Sequence, residues 1–206
     1  MILDVIQVSK ELCSADFVVK RGLYEIGSFS LKGNIVSMEA DITLNILGKQ
    51  SKMSFNRKMQ CRQMFRPYCV VESGSEAGEI FMGAKKLSFF KRYDFKQLNY
   101  FDSVFQMYTV GLGKEGYKFP IYKGSEQIAQ VEKDCVVYND LHNYKAFIKE
   151  EDYLNAVIYL CAYNYVTGPY EPGEKTYSGK ETTVYITTNK LIKEKYNPEF
   201  TKYIEE

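Results

Sequence analysis

The sequence predicts a mainly β domain of the α+β class: an antiparallel β-barrel closed around a central hydrophobic helix, followed by a small C-terminal extension. Three observations lead there. Aromatic residues make up 15% of the chain, with 18 Tyr and 13 Phe, and together with Val, Ile and Thr these residue types favour strands. Turn signals recur about every ten residues between short runs of alternating polarity, the spacing of all-β domains. Finally, residues 153–166 are apolar or aromatic everywhere except at Asn155 and Asn164.

From about residue 21 to residue 147 the chain reads as short strands. "YEIGSFSLKGNIVSMEADITLNILGKQSKMSFNRKM" alternates around Gly27, Gly33 and Gly48, and "GEIFMGAKKLSFFKRYDF" does the same after the "ESGSEAG" loop. "VFQMYTV", "YKFPIYKG", "QIAQVEKD", "CVVYND" and "YKAFIKE" continue the pattern, with hairpin turns expected at Lys123-Gly124-Ser125 and Lys133-Asp134. Regular short strands at this spacing point to an antiparallel barrel or sandwich, not to βαβ units.

A helix is predicted at about residues 150–166. Glu150, Glu151 and Asp152 stand where a helix N-terminus favours negative charge, and Gly168-Pro169 stands where a helix stops. Its apolar stretch spans roughly 21 Å, short of a hydrocarbon core of about 30 Å. A helix greasy on all sides that does not cross a membrane must be surrounded by protein, so Leu154, Ala156, Val157, Ile158, Leu160, Cys161 and Ala162 are expected inside the barrel. Residues 1–168 then form the barrel domain and 169–182 a Gly/Pro-rich loop or linker. Residues 183–206 form a partly helical extension in which Asn197 caps a short helix opened by Pro198. The extension carries too few apolar residues to fold alone and needs a surface to lie on.

At 206 residues the chain suits one main domain. With 27 basic and 26 acidic residues it is not a general nucleic-acid binder. The N-terminus "MILDVIQVSKEL" lacks a basic n-region and a small-residue cleavage site, so a cytoplasmic protein is expected. Cys13, Cys61, Cys69, Cys135 and Cys161 are odd in number and not closely paired, which fits reduced thiols. Buried, inert cysteine is the expectation for each.

The chemical motifs point away from catalysis. Gly111, Gly113 and Gly116 spell G-x-G-x-x-G, but the strand-like "YKFPIY" follows where a phosphate-binding helix would have to start, so a glycine-rich hairpin turn is expected. His142 is the only histidine. It lies in turn-like "YNDLHNY", where an exposed polar residue is unremarkable; a Cys-His pair with Cys135 or Cys161 meets only the composition of a nucleophilic site. Cys61 and Cys69 are too far apart for a zinc pair, and the acidic cluster at 150–152 already has a role at the helix start. No enzyme, metal or cofactor is expected.

One charge asymmetry stands out. Residues 49–96 hold eleven basic side chains against four acidic ones, a net +7, whereas the whole chain carries +1. Arg57, Lys58, Lys85, Lys86, Lys91 and Arg92 are the candidate ligand-binding residues, a basic face for anionic lipid head groups or other phosphate-rich ligands, with Phe and Tyr nearby to dip into an interface. Outward strand positions charged for solubility and edge protection account for the same residues without a ligand. The alternative function is a protein-interaction or self-association scaffold that uses the C-terminal extension.

"EIFMGAKKLSFFKRYDF" and "YKFPIYKGSEQIAQVEKDCVVYNDLHNYKAFIKEEDYLNAVIYLCAYNY" carry a resemblance to a known family. A strand-turn-strand with IY-x-G-x-x-x-IA is followed by a Y-x-x-x-I strand and then by the acidic-capped hydrophobic helix. In this order the chain, over about residues 20–166, resembles the tubby C-terminal-like superfamily, which includes LURP-one-related proteins and phospholipid scramblases. The resemblance implies a barrel around a central helix and, by analogy with the tubby branch, phosphoinositide or anionic-membrane binding through basic residues on the barrel. Members usually end near the central helix, whereas about forty residues follow it here. The cysteine-rich, proline-rich and calcium-loop features of eukaryotic scramblases are absent from this sequence.

Overall fold

The computed structural model describes residues 1–34, 39–61, 64–86, 92–112, 115–133, 136–139, 141–168, 175–176 and 190–205. Nine strands run up and down in sequence: β1 (Ile2–Lys10), β2 (Ser14–Arg21), β3 (Tyr24–Asn34), β4 (Glu39–Ile46), β5 (Lys49–Phe55), β6 (Phe65–Glu72), β7 (Ser75–Lys86), β8 (Arg92–Tyr100) and β9 (Ser103–Met107). β10 (Val110–Gly111), β11 (Tyr117–Lys123), β12 (Glu126–Lys133), β13 (Val136–Val137) and β14 (Asn143–Ile148) follow. β9 pairs with β11 at Met107 and Ile121, and the order β11-β12-β14-β1 returns to the start, so twelve antiparallel strands close into a barrel. Closure removes the exposed strand edges that an open sheet of this width would present.

The alternation seen in the sequence sets which side chains enter the barrel. In β2, Ala15, Phe17 and Val19 are buried, and in β4, Ile42, Leu44 and Ile46 are buried while Asp41, Thr43 and Asn45 face out. The N-terminal strands were not anticipated. β1 supplies Leu3, Val5 and Gln7 to the interior and pairs with β14, and the Met1 amine donates to the Ile148 carbonyl at 2.6 Å.

The helix α1 (Leu154–Thr167) is entered through a 3-10 turn at Glu151–Tyr153, four residues later than the acidic cluster suggested. Leu154, Ala156, Val157, Ile158, Tyr159, Leu160, Cys161, Ala162, Tyr163, Asn164 and Tyr165 are buried. Its partners stand around the whole wall. Tyr165 packs edge-on against Phe17 of β2 and accepts from Gln7 of β1, Tyr163 meets Tyr68 of β6, and Tyr159 meets Tyr100 of β8. The helix therefore fills the barrel, which answers where an all-round apolar segment is hidden. Near its start, the Tyr159 and Tyr100 hydroxyls both donate to the Glu72 carboxylate. Burial, and then Glu72, raises the pKa of both tyrosines, so they remain donors throughout the neutral range.

The two ends of the barrel differ. At the end where α1 enters, the strands reverse in tight turns; at the far end, where α1 leaves, the connections are longer. The β11–β12 turn has Gly124 at φ +61 between paired Lys123 and Glu126, as the sequence predicted. Gly116, at φ +78, lies in the short β10–β11 hairpin, where Gly111 pairs with Tyr117. That agrees with the turn reading of the glycine motif; Gly113 lies outside the described residues. Lys133 ends β12 as a buried inward residue, and Asp134 is outside the described residues.

The β4–β5 turn carries a less favourable choice. Leu47 stands at φ +50, with 55% of its surface exposed, before Gly48 at φ +77. A branched apolar side chain there meets both backbone strain and water, whereas Asn tolerates the left-handed region. Leu47→Asn is expected to raise stability by about 0.5–1 kcal/mol, read as a higher urea midpoint with an unchanged slope; a lower midpoint would mean that Leu47 makes a contact worth more than the strain.

β15 (Lys175–Thr176) pairs in parallel with β13, within the stretch expected to be a loop. The extension contributes α2 (Lys190–Lys193) and α3 (Phe200–Glu205). Asn197 does cap, accepting from the Glu199 N–H at 3.0 Å, but regular helix begins only at Phe200, after a turn. Phe200 is buried, and the Tyr122 hydroxyl donates to the Lys195 carbonyl at 2.8 Å. The surface on which the tail lies is its own barrel.

Candidate functional site

The far end of the barrel gathers the basic residues. The connection after β5 makes a 3-10 turn at Arg57–Met59, capped by Asn56, whose side chain accepts from the Lys58 N–H at 3.2 Å. At the start of β6 the register with β7 shifts between Phe65 and Tyr68, and Arg66 takes φ +51. Such a bulge re-aims a side chain that regular pairing would point elsewhere. Arg66 Nη1 donates to the carbonyl of Thr167, the last residue of α1, at 3.2 Å. It satisfies a carbonyl that has no partner within the helix and sets positive charge at the negative end of the helix dipole. Tyr163 locks the bulge by donating to the Arg66 carbonyl at 2.8 Å.

Beside this bulge lies a cleft of about 570 Å³, lined by Glu39, Phe55, Arg57, Gln60, Phe65, Arg66 and Tyr68. Arg57 Nε donates to Glu39 Oε1 at 2.8 Å, an exposed ion pair between two residues of the lining. The Arg66 guanidinium lies over the Phe65 ring at 5.8 Å. Tyr68 stacks edge-on between Phe55 at 5.7 Å and Tyr163 at 5.6 Å, and its hydroxyl accepts from the Ala40 N–H. Burial raises the Tyr68 pKa, so it presents a neutral hydroxyl. Guanidinium and amide donors over flat apolar walls suit recognition of an oxyanion that carries an apolar body.

The predicted ligand residues meet this site only in part. Arg57 lines the cleft. Lys58 is exposed on the same turn, and Lys85 is exposed on β7, beyond the Phe65–Met82 pair. Lys86 and Arg92 pair in register across β7 and β8, which brings their backbone to the same barrel end; their side chains, like Lys91 as a whole, lie outside the described residues. Among the described side chains of the window, Arg57, Lys58, Arg66 and Lys85 stand toward this end, whereas Lys49 begins β5 at the other, and not all of the window is surface. Lys96 is 9% exposed, donates to Thr109 at 3.4 Å and lies over the Phe119 ring. Lys52 is paired with Asp41 at 3.1 Å. Arg66 carries more of the site than any residue singled out from sequence, and the signal for it was Pro67, since proline inside a strand marks a bulge or irregular pairing.

Two expectations are corrected. His142 is not an exposed turn residue: it is fully buried before β14, its ring edge-on to Tyr165 at 5.5 Å, and its backbone N–H donates to the Gln7 side-chain oxygen at 2.8 Å. An isolated antiparallel bridge joins Tyr138 to Leu141, the residue before it. The cysteines are not uniformly buried: Cys61 is exposed, and Cys13 and Cys69 are half-buried. Cys161 is buried in α1, and desolvation pushes its thiol up to about 12, far from a reactive thiolate. Cys135 lies outside the described residues.

Among the described residues, no three His, Cys, Asp or Glu side chains are placed to share a metal ion, and no helix is long and apolar enough to cross a membrane. Comparison of the chain with models of protein families, with curated proteins and with solved structures finds no match.

Proposed function

We propose that the chain is a non-enzymatic, tubby-like binding module that takes an anionic, partly apolar ligand, such as a lipid head group or a phosphorylated small molecule, in the cleft at the far end of its barrel. The observation that carries this reading is the pair Arg57 and Arg66 set on walls made by Phe55, Phe65 and Tyr68. Arg66 is held by the helix terminus before a ligand arrives, and Arg57, paired with Glu39 at the surface, is the guanidinium free to turn toward one. Preorganised donors lose less entropy on binding than mobile surface lysines do. Lys58 and the β7–β8 end supply a wider positive field that attracts anions and weakens with salt.

The test is binding of the full chain to neutral vesicles and to vesicles containing phosphatidylserine or a phosphoinositide, with a soluble inositol phosphate as competitor, at low and physiological salt. Salt-sensitive binding restricted to anionic vesicles is expected. Arg57→Ala is expected to weaken it about ten-fold or more, as loss of a charge-assisted contact does. Competition by the soluble phosphate identifies the head group as the recognised part. Binding indifferent to salt and to Arg57→Ala would overturn the reading.

A further inference from the structure

The outer wall of the barrel carries an aromatic groove whose rings all come from barrel strands or the residue after β9, and the tail lies on it. Past the end of β9, the ring of Tyr108 meets Tyr93 at 6.2 Å, Phe95 at 6.0 Å and Tyr122 at 5.9 Å. These rings come from β8, from the residue after β9 and from β11, which are neighbours because β9 pairs with both β8 and β11. With the tail in place Tyr108 is only 4% exposed, although it lies outside the main core cluster. Its hydroxyl donates to Gln106 at 2.7 Å, which fixes the ring. Burial, and then Tyr93 and Tyr122, push that hydroxyl up to about 12, in keeping with a dry groove.

The C-terminal segment lays Lys195 into this groove. Its Nζ sits 5.2 Å from the centre of the Tyr108 ring and 4.9 Å from that of Tyr122, while the Tyr122 hydroxyl holds the Lys195 carbonyl. An ammonium shared between two ring faces is bound by their quadrupoles, a geometry that recognises a cation and not merely bulk. Five residues on, Phe200 is buried, with α3 against β14. Between these points Asn197, Pro198 and Glu199 are exposed. The tail is gripped at two places, a lysine and an aromatic ring, in the manner of a bound peptide.

We infer that this stretch of outer wall, from the Tyr108 and Tyr122 rings to β14, is a peptide-binding site for a lysine followed by an aromatic anchor, and that residues 195–200 are its intramolecular occupant. A segment of the same chemistry on another chain competes for it. Because the tether gives the resident segment an effective concentration in the millimolar range, a competitor in trans succeeds when the resident segment is weakened or when the competitor is in large excess. Nothing in this inference depends on the cleft at the barrel end.

The experiment uses a fluorescent peptide of residues 190–206 and two full-length proteins, the wild type and a Lys195→Gln/Phe200→Ala double variant. The double variant is expected to bind the peptide about ten-fold more tightly than the wild type, because its own tail no longer competes. Lys195→Gln in the peptide is expected to weaken that binding about five-fold through loss of the cation. Equal affinity for both proteins, or indifference to the lysine, would overturn the inference. Should the double variant fail to fold, hydrogen exchange on the wild type decides: excess unlabelled peptide is expected to speed exchange in residues 190–205, and unchanged exchange rules the site out.

Discussion

Replacing Ala162 by Asp is expected to abolish folding. Ala162 is fully buried in α1, on a helix whose neighbours stand around the whole barrel wall. An unpaired carboxylate there costs several kcal/mol even after relaxation, a large part of the roughly 5–15 kcal/mol that stabilises a domain. Ala162→Gly is the control, since it keeps the site neutral and costs only about 1 kcal/mol of helix propensity. Far-ultraviolet circular dichroism and urea titration of the two variants separate charge burial from helix weakening. If the Asp variant unfolded at the same urea concentration as the wild type, α1 could not be the filling of the barrel.

Gly78→Ala is expected to be nearly as damaging, for a different reason. A Cβ at position 78 would lie 2.0 Å from the Asn99 carbonyl oxygen and 3.0 Å from Tyr100 Cα, both backbone atoms of the paired strand β8. Backbone cannot rotate aside as a side chain can, so β7 and β8 must spread, at a cost of about 2–4 kcal/mol. Gly74, in the preceding turn, has φ +84 and nothing within 4 Å of its virtual Cβ. Gly74→Ala therefore meets only left-handed strain, about 1–2 kcal/mol. Urea titration of the pair should rank Gly78→Ala as clearly worse; equal losses would mean that the two strands give way more easily than their spacing implies.

The barrel and its filling were legible because each obeys a simple rule. Strands with one wet face alternate, turns need glycine at positive φ, and a helix apolar all round needs enclosure. β1 escaped because its outward positions include Ile2 and Ile6 and its inward positions include Gln7, so polarity does not track the pleat. Lys96 and Lys133 escaped because a lysine is read as surface, yet both are buried with their ammonium groups against aromatic rings. His142 misled for a similar reason, since its polar neighbours suggest a turn while the fold turns it inward. At the candidate cleft, charge counting named one of the two arginines that line it, Arg57. It could not find Arg66, whose role depends on a bulge and on the arrival of a helix terminus from a hundred residues away. The groove under the tail is a product of pairing between β8, β9 and β11, and no local pattern announces it.

The closing of the wall by β1 and β14 sets the order in which the molecule can form. Ile6 waits for Asn143, and the helix that fills the interior follows only after the last wall strand. Contacts so distant along the chain make folding slow, and synthesis at about 5–20 residues per second delivers the whole wall before its filling. Until α1 is made, the inner faces of twelve strands have nothing to enclose and the seam has no reason to shut. Closure of the β1–β14 seam and burial of α1 are therefore coupled, because the inner faces of the wall strands and the helix share one core.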